Sequence, residues 1–453
     1  MKEFRDYLGV TALKMDLNGM PDLDFATHPK GVIRESQELT AAAFRAKTAF
    51  FLVNGTTSGV QTMMISACHP GDEIIIPRNA HKSAVNGLIL SGAMPIYIQP
   101  EINRDFGLVT GVTTENIVKA IANHPHAKAV FAINPSYYGI SPDLKSIVKI
   151  AHQNKMSVIV DEAHGAHLSF CEGLPISGMD AGADLCSVSM HKTGGSLTQS
   201  AVLLVGNGQI STESVQEALG LSFTTSASYL LLSSLELARK QLAIDGPQLI
   251  EKILRMTRWA RQEINKIDGI YAFGKEVTGF PGAFDFDELK LTISLLGLGL
   301  TGYCAENILR ENYNIQIELS DLYNILPYIG VGDTEEDLAI LIAALKDLAA
   351  TYTAKEKRNC QSPIISPIPE MIVTPRDAFY SPKKIIAINN ATDEIAGETI
   401  MAYPPGIPVV SLGERISEDL LEYIRLLKSQ GCALQGTTDP GVEYIRVLGT
   451  GEN

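Results

Sequence analysis

Two apolar segments of this chain end in residues that could do chemistry together. Val158-Ile-Val-Asp161 ends in an acid, and a second apolar run leads into Ser189-Met-His-Lys192-Thr. If both runs are strands of one parallel sheet, Asp161 and Lys192 meet at the same edge of that sheet. A lysine amine forms a Schiff base with the aldehyde of pyridoxal phosphate (PLP), and a carboxylate keeps the pyridine nitrogen of that cofactor protonated. The pair therefore predicts a PLP site.

Two further turns follow predicted strands and would complete such a site. Asn54-Gly-Thr-Thr-Ser-Gly59 opens a predicted helix, and hydroxyl groups with free N–H groups at a helix N-terminus bind anions such as phosphate. A turn of this composition is by itself usually a helix cap. Pro77-Arg-Asn-Ala-His81 would place an imidazole flat against the cofactor ring, although a histidine near a helix start is common without function.

Three competing motifs are weaker. Gly297-Leu-Gly-Leu-Thr-Gly302 matches the dinucleotide fingerprint G-x-G-x-x-G, but no second βαβ half follows it, so we favour a tight strand-to-helix turn over a nicotinamide site. Asp161-Glu-Ala-His164 spells a helicase box, yet the chain has no phosphate loop of the G-x-x-x-x-G-K-[ST] type. His164 and His167 have no convincing third ligand, so no metal site is expected.

Bulk composition excludes several classes of protein. The 453 residues carry a net charge of −14, which argues against nucleic acid as a partner. We expect no membrane span and a cytoplasmic location, because the chain has no run of about 18 uncharged apolar residues and its first residues do not resemble a signal peptide. The six cysteines are scattered, which favours reduced thiols over disulfides or zinc.

The order of apolar runs predicts an α/β fold in three parts. A mostly parallel seven-stranded sheet is expected from strands at 49–53, 73–77, 94–98, 128–133, 157–160, 185–189 and 201–205, with helices at 58–68, 81–91, 114–123 and 144–154 between them. Two longer helices (229–242 and 247–267) follow. A small α+β unit then has strands at 289–295, 315–318 and 324–329 and helices at 304–312 and 334–352. A proline-rich linker and a compact C-terminal domain with a helix at 417–430 end the chain. The predicted divisions are 1–35, 36–280, 281–355 and 356–453.

Six segments together resemble one family, the Orn/Lys/Arg decarboxylases, which are PLP enzymes of the aspartate aminotransferase fold (fold type I). The segments occur in the family order and span nearly the whole chain: NGTTSG (54–59), PRNAHKS (77–83), NPSYYG (134–139), VDEAHGAHLSF (160–170), SMHKTGGSLTQSA (189–201) and YPPGIP (403–408). The sequence departs from the family pattern in two respects. A Pro-Gly-His-Lys motif found near the start of relatives is absent, and the N-terminal wing domain of the larger bacterial relatives is absent too, so we expect a short, wingless form of the family.

The resemblance implies roles for individual residues. Lys192 would be the Schiff-base lysine, Asp161 the pyridinium partner, and His81 and Ala163 would pack on opposite faces of the ring. The phosphate would be held by Thr56, Thr57, Ser58, Ser189 and His191, and by Thr225 of a second subunit. The implied assembly is a homodimer or a dimer-based oligomer.

The implied activity is decarboxylation of a basic amino acid within polyamine metabolism, with arginine favoured over lysine and ornithine. Candidates for binding the distal cation of the substrate are Asp393, Glu394, Glu398 and Glu414. Two alternatives stay open. One is an aminotransferase or another PLP lyase, in which Arg415, Arg425 or Arg446 would bind the substrate carboxylate. The other is a catalytically silent homologue that binds PLP.

Overall fold

A computed structural model describes residues 2–352, 368–403 and 406–449 of the chain. Within these ranges the helices are α1 (Lys2–Met15), α2 (Val32–Ala43), α3 (Gly55–Ala67), α4 (Lys82–Ser91), α5 (Thr114–Asn123), α6 (Leu144–Gln153), α7 (Gly178–Ala181), α8 (Met190–Thr193), α9 (Thr212–Gly220), α10 (Tyr229–Ile264), α11 (Gly302–Tyr313), α12 (Glu335–Thr351), α13 (Pro375–Tyr380) and α14 (Glu418–Ser429).

The strands in the same ranges are β1 (Thr48–Leu52), β2 (Glu73–Pro77), β3 (Met94–Ile98), β4 (Ile102–Asn103), β5 (Leu108–Val109), β6 (Ala129–Ile133), β7 (Ile140–Ser141), β8 (Ser157–Asp161), β9 (Leu185–Val188), β10 (Ala201–Val205), β11 (Tyr271–Ala272), β12 (Asp285–Phe286), β13 (Ile293–Ser294), β14 (Leu319–Ser320), β15 (Asn324–Leu326), β16 (Lys383–Ala387), β17 (Ile400–Tyr403), β18 (Ile407–Val410), β19 (Ala433–Gln435) and β20 (Tyr444–Leu448).

A seven-stranded sheet forms the centre of the large unit. Its order is β1-β10-β9-β8-β6-β2-β3, and β10 alone runs antiparallel to its neighbours. The predicted α/β fold with a mostly parallel seven-stranded sheet is thus confirmed, with each predicted strand of the sheet within one residue of its observed bounds. Because β1, β8 and β9 point the same way, the residues after all three strands lie at one edge.

One prediction about the large unit was wrong, and one helix was not predicted. The helices expected at 229–242 and 247–267 form the single 36-residue helix α10, with Pro247 inside it. An internal proline costs a helix about 3 kcal/mol. Residues on both sides of Pro247, including Leu242, Gly246 and Ile250, are buried, and this packing offsets that cost. The helix α1 was not predicted, because its apolar residues are mostly exposed and Gly9 interrupts its backbone.

The second unit has shorter strands than predicted. Its antiparallel sheet has the order β11-β13-β15-β14. The strand expected at 315–318 is absent, because pairing with β15 starts only at the N–H of Glu318, which donates to the carbonyl of Leu326 at 3.1 Å. Of the strand expected at 289–295, only Ile293–Ser294 is paired.

The glycine-rich turn in this unit serves packing. A Cβ on Gly297 would lie 2.5 Å from the Cα of Gly269, and a Cβ on Gly302 would lie 2.1 Å from the carbonyl oxygen of Asn324. The sheet that precedes it is antiparallel, whereas a dinucleotide site needs a parallel βαβ unit. The interpretation as a tight strand-to-helix turn is therefore supported.

The described C-terminal residues form a third unit with its own core. The pair β16-β20 and the three-stranded sheet β18-β17-β19 pack with α14 around Ile400, Val410, Leu420 and Ile424. Residues 361–367 of the predicted linker, and Pro404 and Pro405 of the YPPGIP segment, lie outside the described residues. The domain bounds given above stay a prediction.

Helix α4 of the large unit is held at both ends by the C-terminal unit. At its start, the N–H of Lys82 donates to the carbonyl of Gly406 at 3.1 Å. At its end, Nε of Arg376 donates to the carbonyl of Ile89 at 2.8 Å, and Nη2 of the same side chain donates to the carbonyl of Leu90. The position of α4 is therefore fixed by the C-terminal unit.

A buried ion pair joins the same two units. Arg78 is 8% exposed and Glu414 is fully buried, and Nη2 of Arg78 donates to Oε2 of Glu414 at 2.8 Å while Nη1 contacts Oε1. The guanidinium also donates to the carbonyl of Val409 at 3.1 Å and lies 4.8 Å from the ring centroid of Tyr97. Both charges are thus paired and hydrogen-bonded out of water.

In the described ranges, five cysteines are free: Cys68, Cys171, Cys186, Cys304 and Cys432. Cys360 lies outside those ranges. Among the helices that the structure describes, none is both long and apolar enough to cross a membrane.

We predict that Arg78 and Glu414 are strongly coupled in stability. Glu414→Leu leaves a buried unpaired guanidinium and should lower the free energy of unfolding by about 3–5 kcal/mol. The double variant Arg78→Met/Glu414→Leu removes both charges and should recover part of that loss. Urea unfolding of the wild type, both single variants and the double variant tests this. Additive effects of the two changes would contradict it.

Candidate active site

The two strand ends that were predicted to converge are neighbours in the sheet. β8 and β9 pair in parallel, with Asp161 opposite Ser187, and Lys192 lies on the short helix α8 directly after β9. Strands buried on both faces need continuous apolar sequence, which explains why these two runs could be recognised. The carboxylate and the amine therefore come from adjacent segments.

Lys192 is partly buried. Its Nζ lies 2.8 Å from Nε2 of His164 and 5.9 Å from the ring centroid of Tyr137, and its carbonyl accepts a hydrogen bond from the hydroxyl of Tyr328. Burial lowers the pKa of the Lys192 amine, and the charges of Asp161 and Glu318 oppose this in part. A lowered pKa increases the fraction of uncharged amine, which is the nucleophilic form.

Asp161 is a buried carboxyl group beside that amine. It is 8% exposed, and its Oδ1 accepts from the N–H of Ala163 at 3.1 Å. Burial raises the pKa of Asp161, and the Ala163 N–H and the Lys192 charge lower it in part. A carboxylate in this setting gains free energy from any further positive donor that enters the site.

The expected anion cradle lies at the start of α3. Oγ1 of Thr56 and Oγ of Ser189 are 2.7 Å apart, so the hydroxyls from the two predicted segments meet. Thr57 is exposed, and Oγ of Ser58 donates to the carbonyl of Gly55 at 2.9 Å. Asn54 makes no side-chain cap, which leaves N–H groups of this helix start available to a ligand.

The glycine at the end of this turn brings α3 close to the sheet. A Cβ on Gly59 would lie 2.0 Å from Oγ of Ser187, so the close approach of α3 to β9 depends on glycine. His191 uses its Nδ1 and its N–H on the carbonyl of Ser200, with Nδ1 at 2.9 Å. Thr225 is exposed in the segment between α9 and α10.

His81 caps the N-terminus of α4. Its Nδ1 accepts from the N–H of Ser83 at 3.2 Å. Burial, with the nearby charges of Lys192 and Lys82, lowers the pKa of His81 to about 4, so the ring is neutral at pH 7. The predicted YPPGIP segment reaches this point through the Gly406 carbonyl described above.

Two residues that contribute to the site were not identified from the sequence. Nζ of Lys290, which is 6% exposed, lies 3.2 Å from Nδ1 of His164. Glu318 lines a cavity together with His164, Lys290, Thr193 and Tyr328. Lys290 could have been recognised as a site residue because it lies inside the apolar run 289–295, and lysines are almost never fully buried unless they are paired.

The two histidines after β8 each contact charged side chains of the protein. His164 lies between the two lysines, and Nε2 of His167 is 3.0 Å from Oδ2 of Asp287. In the part of the chain that the structure describes, no group of three or more His, Cys, Asp and Glu residues has an arrangement that could hold a metal ion.

Most acids that were candidates for binding a distal substrate cation are engaged elsewhere. Glu414 pairs with Arg78, Glu394 lies 2.7 Å from Nζ of Lys384, and Glu398 accepts from Thr438 and from the N–H of Arg446. Asp393 is exposed. Glu318 is the better-placed candidate, because it lines the same cavity as His164 and Lys290.

The residues present fit PLP. The cofactor has a phosphate, a basic ring nitrogen and an aldehyde, and the site offers helix N–H groups with hydroxyls, a buried carboxyl group and a buried amine. In addition, the buried hydroxyls of Ser187 and Thr193 have no hydrogen-bond partner among the described residues. Buried polar groups are rarely left unpaired, so these hydroxyls are consistent with a site for a polar ligand.

Comparison with known proteins agrees with this chemistry. The family model for the Orn/Lys/Arg decarboxylase major domain matches residues 1–337, and the model for the C-terminal domain of the same family matches residues 358–442. An arginine decarboxylase of Bacillus anthracis and one of Bacillus subtilis (strain 168) are each 45% identical over 447 residues, which cover 98% of this chain and 91% of the relative.

Solved structures extend the agreement to the fold. Lysine decarboxylase A from Pseudomonas aeruginosa superposes with a TM-score of 0.83 at 19% identity, over 99% of this chain and 76% of that protein. The family models, the two relatives and the order of the six motifs lead to one conclusion: this chain belongs to the Orn/Lys/Arg decarboxylase family.

Proposed function

We propose that this protein is a PLP-dependent arginine decarboxylase, which releases CO2 from arginine and leaves agmatine. The observation that carries the proposal is the buried amine of Lys192 beside the buried carboxyl group of Asp161, in a chain of this family. Decarboxylation of a basic amino acid follows from the family. The choice of arginine is supported by the two Bacillus relatives, and lysine and ornithine are the alternatives.

In this proposal the bound cofactor supplies an electron sink for the negative charge that remains at the substrate Cα when CO2 leaves. Asp161 would hold the proton on the ring nitrogen of the cofactor, and the neutral ring of His81 and the side chain of Ala163 would pack against the cofactor. Thr56, Thr57, Ser58, Ser189 and His191 would hold its phosphate. These groups are fixed by the fold before substrate arrives, which limits the reorganisation needed in the transition state.

Lys192 serves the substrate side of the reaction. Its amine is partly buried and its pKa is lowered by burial, so a proton held on Nζ is readily given up to the Cα of the substrate. The carboxylate of Glu318 lines the cavity beyond His164 and is proposed to attract the distal cation of the substrate.

An aminotransferase is not favoured, since the arginines that would bind a substrate carboxylate are engaged within the C-terminal unit. Nε of Arg415 lies 3.2 Å from Oε2 of Glu370, and Nη1 of Arg425 lies 3.0 Å from Oε1 of Glu418. Arg446 lies on β20 in the same unit. Neither the pairing nor the position of these arginines supports a role at Lys192.

We also propose that the protein is a homodimer, with Thr225 of each subunit reaching the phosphate of the other. The surface near the site is apolar: a concavity beside the segment that follows Lys192 is lined in part by Met15, Leu197, Leu237 and Ile244. Leu197 is 52% exposed, Leu237 65% and Ile244 63%, and an apolar patch of this kind usually marks an interface.

The free thiols of the described cysteines support the proposed cytoplasmic location, where polyamine precursors such as agmatine are used.

Replacement of Lys192 by Ala should lower agmatine formation by more than roughly 10³-fold, because the nucleophile and the proton donor are lost together. Mass spectrometry of products from arginine, lysine and ornithine measures this, and Lys266→Ala, which removes a surface amine, is the control. Agmatine from the wild type supports the proposal, while cadaverine or putrescine as the main product would replace arginine by another substrate. A wild type that binds PLP but yields no amine would identify a silent homologue.

Asp161→Asn should lower kcat by roughly 10²–10³-fold with a much smaller change in KM, since the lost charge stabilises the transition state more than the bound substrate. Steady-state CO2 release on the PLP-saturated variant provides the measurement. An unchanged kcat would remove Asp161 from the proposed role.

Thr225→Val should weaken PLP binding by roughly ten- to a hundredfold, which corresponds to one hydrogen bond to a charged phosphate of about 1.5–3 kcal/mol. Fluorescence titration with PLP measures the affinity, and sedimentation velocity verifies that wild type and variant are both dimers. An unchanged PLP affinity in a dimeric variant would exclude Thr225 from the phosphate site, and a monomeric wild type would exclude the proposed assembly.

A further inference from the structure

A second cavity, which Lys192 does not line, lies where the three units of the chain meet. It encloses about 180 Å³ and has walls from the large unit, the second unit and the C-terminal unit. Tyr138, Asp321 and Tyr423 line it, one from each unit. Pockets for drug-sized ligands enclose about 300–1,000 Å³, so this cavity has room for a smaller organic molecule.

The walls of this cavity are aromatic. Four tyrosines line it: Tyr138 between β6 and β7, Tyr303 of α11, Tyr323 between β14 and β15, and Tyr423 of α14. Tyr303 is buried, and the other three are partly exposed, so solvent reaches the walls. The face of a tyrosine ring is negative and attracts a cation that lies within about 6 Å of the ring centroid.

One wall carries a carboxylate that has only neutral partners. Oδ1 of Asp321 accepts from the N–H groups of Tyr323 and Asn324 at 2.7 and 2.8 Å, and Oδ2 accepts from the hydroxyl of Tyr138 at 2.6 Å. The side-chain amide of Asn324 lies 3.2 Å from both oxygens. Among the described residues, no lysine, arginine or histidine forms an ion pair with Asp321.

The cation on the same walls is already neutralised. Arg78 lines the cavity, but its guanidinium is paired with the buried Glu414. The carboxylate of Asp321 therefore leaves one negative charge without compensation. Burial raises the pKa of Asp321, and the hydroxyl of Tyr138 lowers it in part, so the ionised form is held at a cost in free energy. A positive charge that enters the cavity would offset this cost.

Two side-chain amides on the walls have no partner. Oδ1 of Asn79 and Oε1 of Gln99 are buried and make no hydrogen bond with the described residues, and both side chains line the cavity. Buried polar atoms are rarely unpaired. A side-chain amide can turn by 180° with little change in shape, so each can present its oxygen to a donor inside the cavity. Together with Asp321, these acceptors fit a ligand with several N–H donors.

The cavity is separate from the active site but adjoins it along the backbone. The ring centroid of Tyr137 lies 5.9 Å from Nζ of Lys192, whereas the next residue, Tyr138, lines the cavity. Asn79 likewise lies two residues before His81. The acid that lines the cavity beside Lys192 is Glu318, and the acid that lines the second cavity is Asp321. Each cavity therefore has its own carboxylate.

We propose that the second cavity is a binding site for a small organic cation with an alkyl stem, either an alkylguanidinium or an alkylammonium ion. Its N–H groups donate to Asp321, Asn79 and Gln99, and its stem packs among the tyrosine rings. A guanidinium fits best, because it has five donors and a flat face that stacks on aromatic rings, whereas an ammonium has three donors. The proposal goes beyond decarboxylation and does not depend on it.

The first test compares three probes of similar shape by isothermal titration calorimetry on the PLP-bound, full-length protein. n-Propylguanidinium has a charge and several N–H donors, N,N-dimethylpropylammonium has a charge and one N–H, and n-propylurea has N–H donors without a charge. None has the primary amine that forms a Schiff base with PLP. The guanidinium should bind at least roughly tenfold more tightly than the urea, which lacks the charge-assisted contacts.

Each result with the wild type decides the matter. Equal affinity for the guanidinium and the urea, or no binding of either cation up to about 10 mM, would overturn the proposal. Tighter binding of the ammonium than of the guanidinium would support the cation site and identify an alkylammonium as its ligand class.

Asp321→Asn keeps the shape of the side chain and an oxygen for the turn before β15, but removes the charge. The Kd for n-propylguanidinium should rise roughly ten- to a hundredfold. Glu318→Gln is the matched control, because it removes the acid beside Lys192, and the Kd should stay within about twofold of the wild type. Unchanged affinity in Asp321→Asn would contradict the proposal, and so would a loss confined to Glu318→Gln, which would place the probe at the active site.

A second variant examines the aromatic wall without touching that turn. Tyr423→Leu should weaken binding of n-propylguanidinium roughly three- to tenfold, whereas Tyr444→Leu, which replaces a tyrosine of the same unit that is 55% exposed, should change it by less than about twofold. Equal affinity in Tyr423→Leu and the wild type would refute the site. Because no measurement involves turnover, a protein without decarboxylase activity leaves this inference intact, and an active decarboxylase that binds none of the cations here refutes it alone.

Discussion

Removing a cationic amine from water costs free energy. The pKa values of the groups around Lys192 are shifted in the directions that this cost predicts. Burial lowers the pKa of both site lysines and raises that of Asp161, while His81 and His164 are kept neutral by burial together with the lysine charges. In an open cleft the two lysines and Asp161 would be solvated ions. In this site His81 and His164 are neutral, and His164 makes hydrogen bonds with both lysines.

The surroundings of Lys192 come from two units of the chain. The ends of β8 and β9 supply Asp161 and Lys192, and the second unit adds the buried Lys290 and the exposed Glu318 next to them. The C-terminal unit is joined to the large unit by the buried pair of Arg78 and Glu414 and contributes no group that contacts Lys192 among the described hydrogen bonds. The chemistry of the site therefore depends on how the large unit and the second unit pack together.

The residues of the large unit could be predicted because their pattern is local. Continuous apolar runs ending in Asp161 and Ser189 are the pattern of buried parallel strands, and those strand bounds were nearly correct. The grouping of Thr56 with Ser189 was implied by the family resemblance, and the structure brings the two hydroxyls together. The partners of His164 did not follow, because Lys290 belongs to a segment with no recognisable motif and reaches the site only through tertiary packing.

The errors have the same origin. Pro247 normally ends a helix, yet packing on both sides keeps α10 continuous. The apolar run at 315–318 favoured a strand, but the partner strand β15 is too short to pair with it. In each case local propensity was outweighed by contacts between residues far apart in sequence.

Helix α4 connects the C-terminal unit to the active site, so a substitution in that unit can change the position of His81. Its first residue follows His81, and its last turn is capped by Arg376 from the C-terminal unit. A helix of ten residues is a stiff rod of about 15 Å, so a shift at one end moves the other. A substitution of Arg376 would thus shift the His81 imidazole, although the two residues lie at opposite ends of the helix. The described contacts of the C-terminal unit thus set the alignment of the His81 ring through both ends of the helix.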